Sequence, residues 1–150
     1  MTQEDKQLLL ADLCGRLSYG VFVNIEGFDY DFNGKLVQVY FGNINRCSIQ
    51  VGSNISYSLE ETKPWLRPMS SMTEEESAEL SNIINEWFDK ELFYLTEEPF
   101  LEYALSKINY SISPQLFDWL NAHHFDYRGL IEKGLAMEAP KGMYGKENKL

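Results

Sequence analysis

Hydrophobic positions change period along the chain, and the changes mark its elements. Leu9, Leu13 and Leu17, with Leu10 and Cys14, repeat at helical spacing. Thr2 and Asp5 three residues later form a capping signal, so a helix opens the chain, and Gly15 is expected to end it or weaken its last turn. From Tyr19 the pattern alternates: Val21, Val23 and Ile25 against Phe22 and Asn24, with Gly27 as the break. Asn33-Gly34 lies between Phe28/Tyr30/Phe32 and the run from Leu36 to Phe41, which predicts a tight hairpin turn because both residues tolerate positive φ. Turns near Asn43–Arg46 and Gly52–Asn54 set off two further runs, Cys47–Val51 and Ile55–Leu59. Four or five short strands over residues 19–62 follow, too small to bury a face unless they curl into a barrel or lie against a helix.

Pro64 and Pro68 flank Trp65-Leu66-Arg67 and predict a stiff connector without regular pairing. A helical subregion over 73–135 comes next. Thr73 with Glu76 is a capping box, and Leu80, Ile83, Ile84, Trp87, Phe88 and Leu92 make one apolar stripe. Thr96-Glu97-Glu98-Pro99 starts a second helix with Leu101, Ala104, Leu105 and Ile108 inward, and Ser113-Pro114 a third with Leu116, Phe117 and Leu120. Asp126 predicts the cap of a short last helix carrying Leu130 and Ile131, which Gly134 stops. Residues 140–150 are expected to form a tail, and Tyr144, with Tyr110 and Tyr127, is open to either a recognition surface or the core. The expected fold class is α+β in a single domain, 1–150: an N-terminal helix, a small curved antiparallel sheet or SH3-like barrel, and a helical C-terminal half.

Composition agrees with a packed chain. Of 150 residues, 44% are hydrophobic and 14% aromatic, which argues against intrinsic disorder. Thirteen basic and 23 acidic side chains give a formal charge of −10. That balance speaks against generic nucleic-acid binding and against an anionic membrane surface. The acidity is local: residues 51–100 hold 3 bases and 11 acids, whereas residues 101–150 hold 6 of each. Much of it belongs to the first turns of the helix after Thr73, where the helix dipole and an exposed face account for carboxylates. With acids near the N-terminus, no export signal and no run of about 20 apolar residues, a cytoplasmic protein without a membrane span is expected. Cys14 and Cys47 lack ligand spacing and are expected as buried reduced thiols.

Candidate chemistry is sparse. The only histidines are His123-His124, followed by Asp126, Tyr127 and Arg128, where a general base, a metal or an anion clamp would first be sought. Adjacent helical side chains diverge by about 100°, and no third histidine completes a metal site. A capping role for Asp126 and a packed histidine are the simpler reading. Trp65 and Arg67 belong to the residue types enriched in binding hot spots, although they equally suit a staple between layers. Phosphate-loop, serine-hydrolase and zincin motifs are absent. No cofactor, metal or catalytic residue is therefore expected.

Three stretches, residues 4–14, 63–76 and 117–136, together resemble a family of small proteins of no assigned activity encoded in gut bacteria and their prophages. The resemblance implies an accessory, phage-linked cytoplasmic role and no mechanism. The function expected is a non-catalytic protein-interaction or regulatory module whose partner is another protein. Its contact surface is expected at Trp65, Arg67, His123, His124, Asp126, Tyr127 and Arg128. Two alternatives stand beside it: an acidic DNA mimic or host-factor inhibitor, and an enzyme using His123 or His124 with Asp126.

Overall fold

The computed structural model describes residues 1–26, 32–41, 47–51, 56–87 and 114–145. The expected helix over 96–108, together with Phe88 and Leu92, lies outside these residues. Three helices and six strands occur among them: α1 (Gln3–Arg16), β1 (Phe22–Ile25), β2 (Phe32–Phe41), β3 (Cys47–Val51), β4 (Ser56–Ser58), β5 (Thr62–Leu66), α2 (Glu74–Trp87), α3 (Pro114–Ala122) and β6 (Met137–Glu138). The class is α+β. No helix among the described residues is long and apolar enough to cross a membrane.

The strands lie in the order β4-β3-β2-β1-β5-β6. All neighbours are antiparallel except β5 and β6, which run parallel, so the sheet is mixed where an antiparallel one is expected. Val37 is the extra residue of a bulge: Leu36 pairs Val51 and Gln38 pairs Gln50, so two steps on β2 match one on β3. Such a bulge sharpens the local twist and supplies curvature. No pairing closes β4 onto β6 among the described residues.

Two turn expectations give way to pairing. Asn33 and Gly34 do not form the hairpin turn; they lie inside β2, opposite Asn24 and Val23. Local turn propensity is a small preference, and here the cross-strand ladder overrides it. The Pro64 region is likewise no bare connector, because Pro64 sits in β5 opposite Val23. Pairing of β5 with β6 begins at Trp65, one residue past the proline that has no N–H to give.

The helix starts are those expected. Thr2 accepts from the Asp5 amide at 3.1 Å while Asp5 accepts from the Thr2 amide at 3.1 Å, and Thr73 and Glu76 do the same at the head of α2. Gly15 does not end α1. It lies in the last turn of the helix, where a Cβ would make ordinary contact with the Asn121 amide on α3 at 3.4 Å. After a 3-10 turn over Leu17–Tyr19, Gly20 at φ 69° breaks the chain. The buried face of α1 is also rotated from expectation. Leu9 and Leu13 are buried together with Asp12 and Arg16, while Cys14, in no disulfide, is exposed rather than buried.

Two apolar cores form. Leu9, Leu13, Val21, Val23, Ile25, Leu36 and Leu66 fill the space between α1 and the sheet, with Leu130 and Leu135. Leu80, Ile84, Leu116, Leu120 and Phe125 fill the second, between α2 and α3. Residues 123–126 run along the seam between them.

The last helix is reduced to a single turn. Asp126 does cap, with its two carboxylate oxygens accepting from the Leu130 amide at 2.8 Å and the Ile131 amide at 2.9 Å. Gly134, at φ 72°, does stop it: the Leu135 amide reaches the Leu130 carbonyl and the Gly134 amide the Ile131 carbonyl, which is a Schellman closure. Start and stop stand too close for more than one turn. Residues 140–145, expected as tail, fold back on the sheet through Tyr144.

Candidate functional site

Arg67 and the turn at 123–126, 56 residues apart and grouped together by the sequence reading, meet in the fold. The Arg67 amide donates to the His124 carbonyl at 2.8 Å and the Asp126 amide to the Arg67 carbonyl at 2.8 Å, a single parallel bridge that extends the sheet edge past β5. The Arg67 guanidinium covers the Phe125 ring at 4.2 Å and forks onto Glu76, Nη1 to Oε1 at 2.9 Å and Nη2 to Oε2 at 2.8 Å. Strand, turn and α2 are thus tied at one residue. Burial by itself raises the Glu76 pKa, but hydrogen bonds from Arg67 and Thr73 and the Arg67 charge outweigh it and hold the carboxyl below its ordinary value. A depressed carboxylate adds stability above its unfolded pKa, and that contribution fades as pH falls through the lower folded value. Glu76→Ala, which removes both the cap and the fork, is expected to cost about 1–2 kcal/mol. Thermal unfolding at pH 7 checks it, and the deficit should shrink below pH 4.

The histidines have separate surroundings. His123 is half-buried, its Nδ1 lies 2.8 Å from the Trp119 carbonyl, and its ring stacks on Trp119 with centroids 4.0 Å apart. His124 is buried, with φ 62°, and its ring stacks on Tyr144 at 3.7 Å. Burial first, then the charges of Arg16, His123, Arg67 and Lys35, bring its pKa down to about 3, so it is neutral at pH 7. The Tyr144 hydroxyl donates to the Trp65 carbonyl at 2.7 Å and accepts from the Phe22 amide at 3.0 Å; burial pushes its pKa up.

A dyad needs an acid free to orient a base. Asp126 has each carboxylate oxygen on a backbone amide, and no hydrogen bond to either histidine occurs among the described residues. Tyr127 is half-buried, donating to Asn121 Oδ1 at 2.9 Å and accepting from Arg128 at 3.3 Å. Trp65 is half-buried on β5. No group of three metal-ligating side chains occurs among the described residues.

Behind the turn lies a pair that sequence reasoning missed. Asp12 and Arg16 are both fully buried on α1 and joined by two hydrogen bonds, Nε to Oδ2 at 2.8 Å and Nη2 to Oδ1 at 3.0 Å. Arg16 Nη2 also donates to the Phe125 carbonyl at 2.6 Å, and Arg128 Nε approaches Asp12 at 3.5 Å. The signal was present as an acid and a base at i, i+4, but Asp12 reads first as a break in an apolar run.

The concave surface takes in His123 and His124 of the turn but not Phe125 or Asp126. One lobe, about 630 Å³, is lined by Tyr19, Phe22, Lys35, Arg67, His123 and His124, with Glu75 and Glu79 of α2 on its far wall. A second, about 520 Å³, is lined by Arg67, Pro68, Ser71, Glu138 and Lys141. Thr73, Glu76, Tyr144 and Gly145 line both, with Arg67. Of the expected contact residues, Arg67, His123 and His124 reach this groove; Trp65, Asp126, Tyr127 and Arg128 do not line either lobe. Tyr144, left open between recognition surface and core, lines both lobes, and Phe22, Lys35 and Glu75 are additions carried there by long-range packing. Comparison with protein families, with characterised proteins and with solved structures finds no match, so the resemblance drawn above rests on residues 4–14, 63–76 and 117–136 alone.

Proposed function

We propose that the protein is a non-catalytic interaction module that holds another protein in the groove between the α2 N-terminus and the β1–β2 rim. One observation carries the reading: the groups that chemistry would need are spent on the fold, while a two-lobed groove beside them keeps aromatic and charged side chains at its surface. Asp126 caps a turn, His123 faces a backbone carbonyl, and His124 is stacked and neutral. Phe22 and Tyr144 supply an aromatic wall, Lys35 a cation, and Glu75 and Glu79 carboxylates opposite. Such a mixture of aromatic anchors and rim charges suits a protein segment better than a small substrate. The accessory role implied by the family resemblance is compatible with such a module.

The acidic-mimic alternative gains less. Of the carboxylates at the start of α2, Glu76 is paired with Arg67 and Glu79 accepts from the Trp119 indole at 3.1 Å. They serve internal bonds as well as the surface.

Charge reversal at two exposed groove residues, Lys35→Glu and Glu75→Lys, tests the proposal. A partner that co-purifies with the wild-type protein is expected to fall at least tenfold in both variants and to be kept by Lys133→Glu, which is exposed and lines neither lobe. Equal recovery with all of them would defeat it. Loss that follows salt concentration alone and ignores position would favour the acidic mimic.

A further inference from the structure

The segment after β6 makes two successive turns, closed by Met143 to Pro140 and Gly145 to Gly142 backbone hydrogen bonds, with Gly142 at φ 89°. Tyr144 docks it. The ring lies on His124 and against Phe22, at 3.7 and 5.5 Å between centroids, and the hydroxyl bridges the Phe22 amide and the Trp65 carbonyl. Because Tyr144 lines both lobes, it forms part of the wall between them.

The other half of this contact is unusual. His124 is 8% exposed, is held in the left-handed region, and its buried Nδ1 has no hydrogen-bond partner among the described residues. The groups that face it are Arg16 from α1, Lys35 from β2, Arg67 from the end of β5, His123 beside it and Tyr144 above it. Arg16 and Arg67 are paired with Asp12 and Glu76, and Glu75, Glu76 and Glu79 of α2 line the same lobe, but after burial the largest influences on His124 are the cationic groups. A neutral ring packs there without penalty from charge. An imidazolium would be desolvated among like charges, and undocking the strap is the cheapest way to return it to water.

We propose that residues 140–145 are a proton-sensitive strap: protonation of His124 undocks Tyr144 and merges the two lobes of the groove into one. In the closed state His124, its pKa brought down to about 3, stays neutral from pH 7 to pH 4.5, whereas the open state takes a proton with an ordinary histidine affinity. The opening constant therefore rises about tenfold per pH unit below 6.5, or about 70-fold between pH 7 and pH 4.5. The device belongs to the fold and does not depend on which partner the groove takes.

The Phe22 amide reports opening directly, since its acceptor is the Tyr144 hydroxyl. The Leu36 amide, bonded to the Val21 carbonyl at 2.9 Å, reports the sheet behind it. Corrected for intrinsic rates, hydrogen exchange at Phe22 is expected to accelerate about 70-fold from pH 7 to pH 4.5 with Leu36 unchanged. His124→Asn, which tolerates the left-handed backbone and cannot protonate, should abolish the acceleration. Should that variant not fold, the wild-type His124 ring resonances decide: they must titrate far below pH 6.5 and together with the Tyr144 ring. Constant protection at Phe22, equal acceleration at Leu36, acceleration persisting in His124→Asn, or an ordinary His124 titration would each overturn the proposal.

Discussion

Asp12→Ala is expected to lower the unfolding free energy by about 3–5 kcal/mol. Asp12 and Arg16 are both completely buried, and the carboxylate is the counter-charge of a guanidinium that otherwise keeps one carbonyl, that of Phe125. Arg16 Nη1 already has no hydrogen-bond partner among the described residues, so the desolvation cost is compensated by Asp12 more than by anything else. Removing the acid strands the cation, and Arg128 loses its nearest carboxylate as well. By contrast the surface pair Lys6–Glu60, screened by solvent, is expected to contribute little. Replacing both buried partners, Asp12→Leu with Arg16→Met, should recover much of the loss, since an apolar pair of similar volume carries no stranded charge. Urea unfolding of the single and double variants checks this. A loss under about 1 kcal/mol for Asp12→Ala would mean that the pair does not hold α1 to the turn.

Asp126→Ala is the second large effect, at about 2–4 kcal/mol. Its carboxylate satisfies the Leu130 and Ile131 amides, and Leu130 is fully buried in the core under α1. Two amides would lose their acceptor in a place where water has little access. Asp126→Asn keeps one good acceptor oxygen and should lose less than half as much. An enzyme using Asp126 as an acid or base would show the reverse order, with folding intact and activity gone in both variants. Chemical denaturation of the two, side by side, separates these outcomes.

How far the residues announce this structure depends on the distance over which each feature is decided. Thr2–Asp5 and Thr73–Glu76 are local signals and both helices start there. The Asp126 cap and the Gly134 stop are local too, and each works, but neither says that only one turn fits between them. Asn33-Gly34 is a local turn signal defeated by a ladder with Val23 and Asn24 across the sheet. Burial of Asp12 and exposure of Cys14 depend on what α1 packs against, which a helical period cannot state. The site follows the same rule. Arg67 and residues 123–126 do come together, yet through backbone pairing that side-chain types do not reveal. The tail-like pattern of residues 140–150 hides the place of Tyr144, because nothing near it in the chain predicts a stack on His124 or a bond to Phe22, 122 residues away.

The central claim is that the groove at the Arg67 junction, which the histidine pair helps to line, is where the protein meets its partner. Site-specific photo-crosslinking tests it most directly, with a benzoyl-phenylalanine placed at Lys35 or Glu75 on the groove and at Lys133 as an exposed control outside both lobes. The expected result is one and the same protein trapped from Lys35 and Glu75 and not from Lys133. Crosslinks of equal yield from all three positions, or from Lys133 alone, would contradict the account.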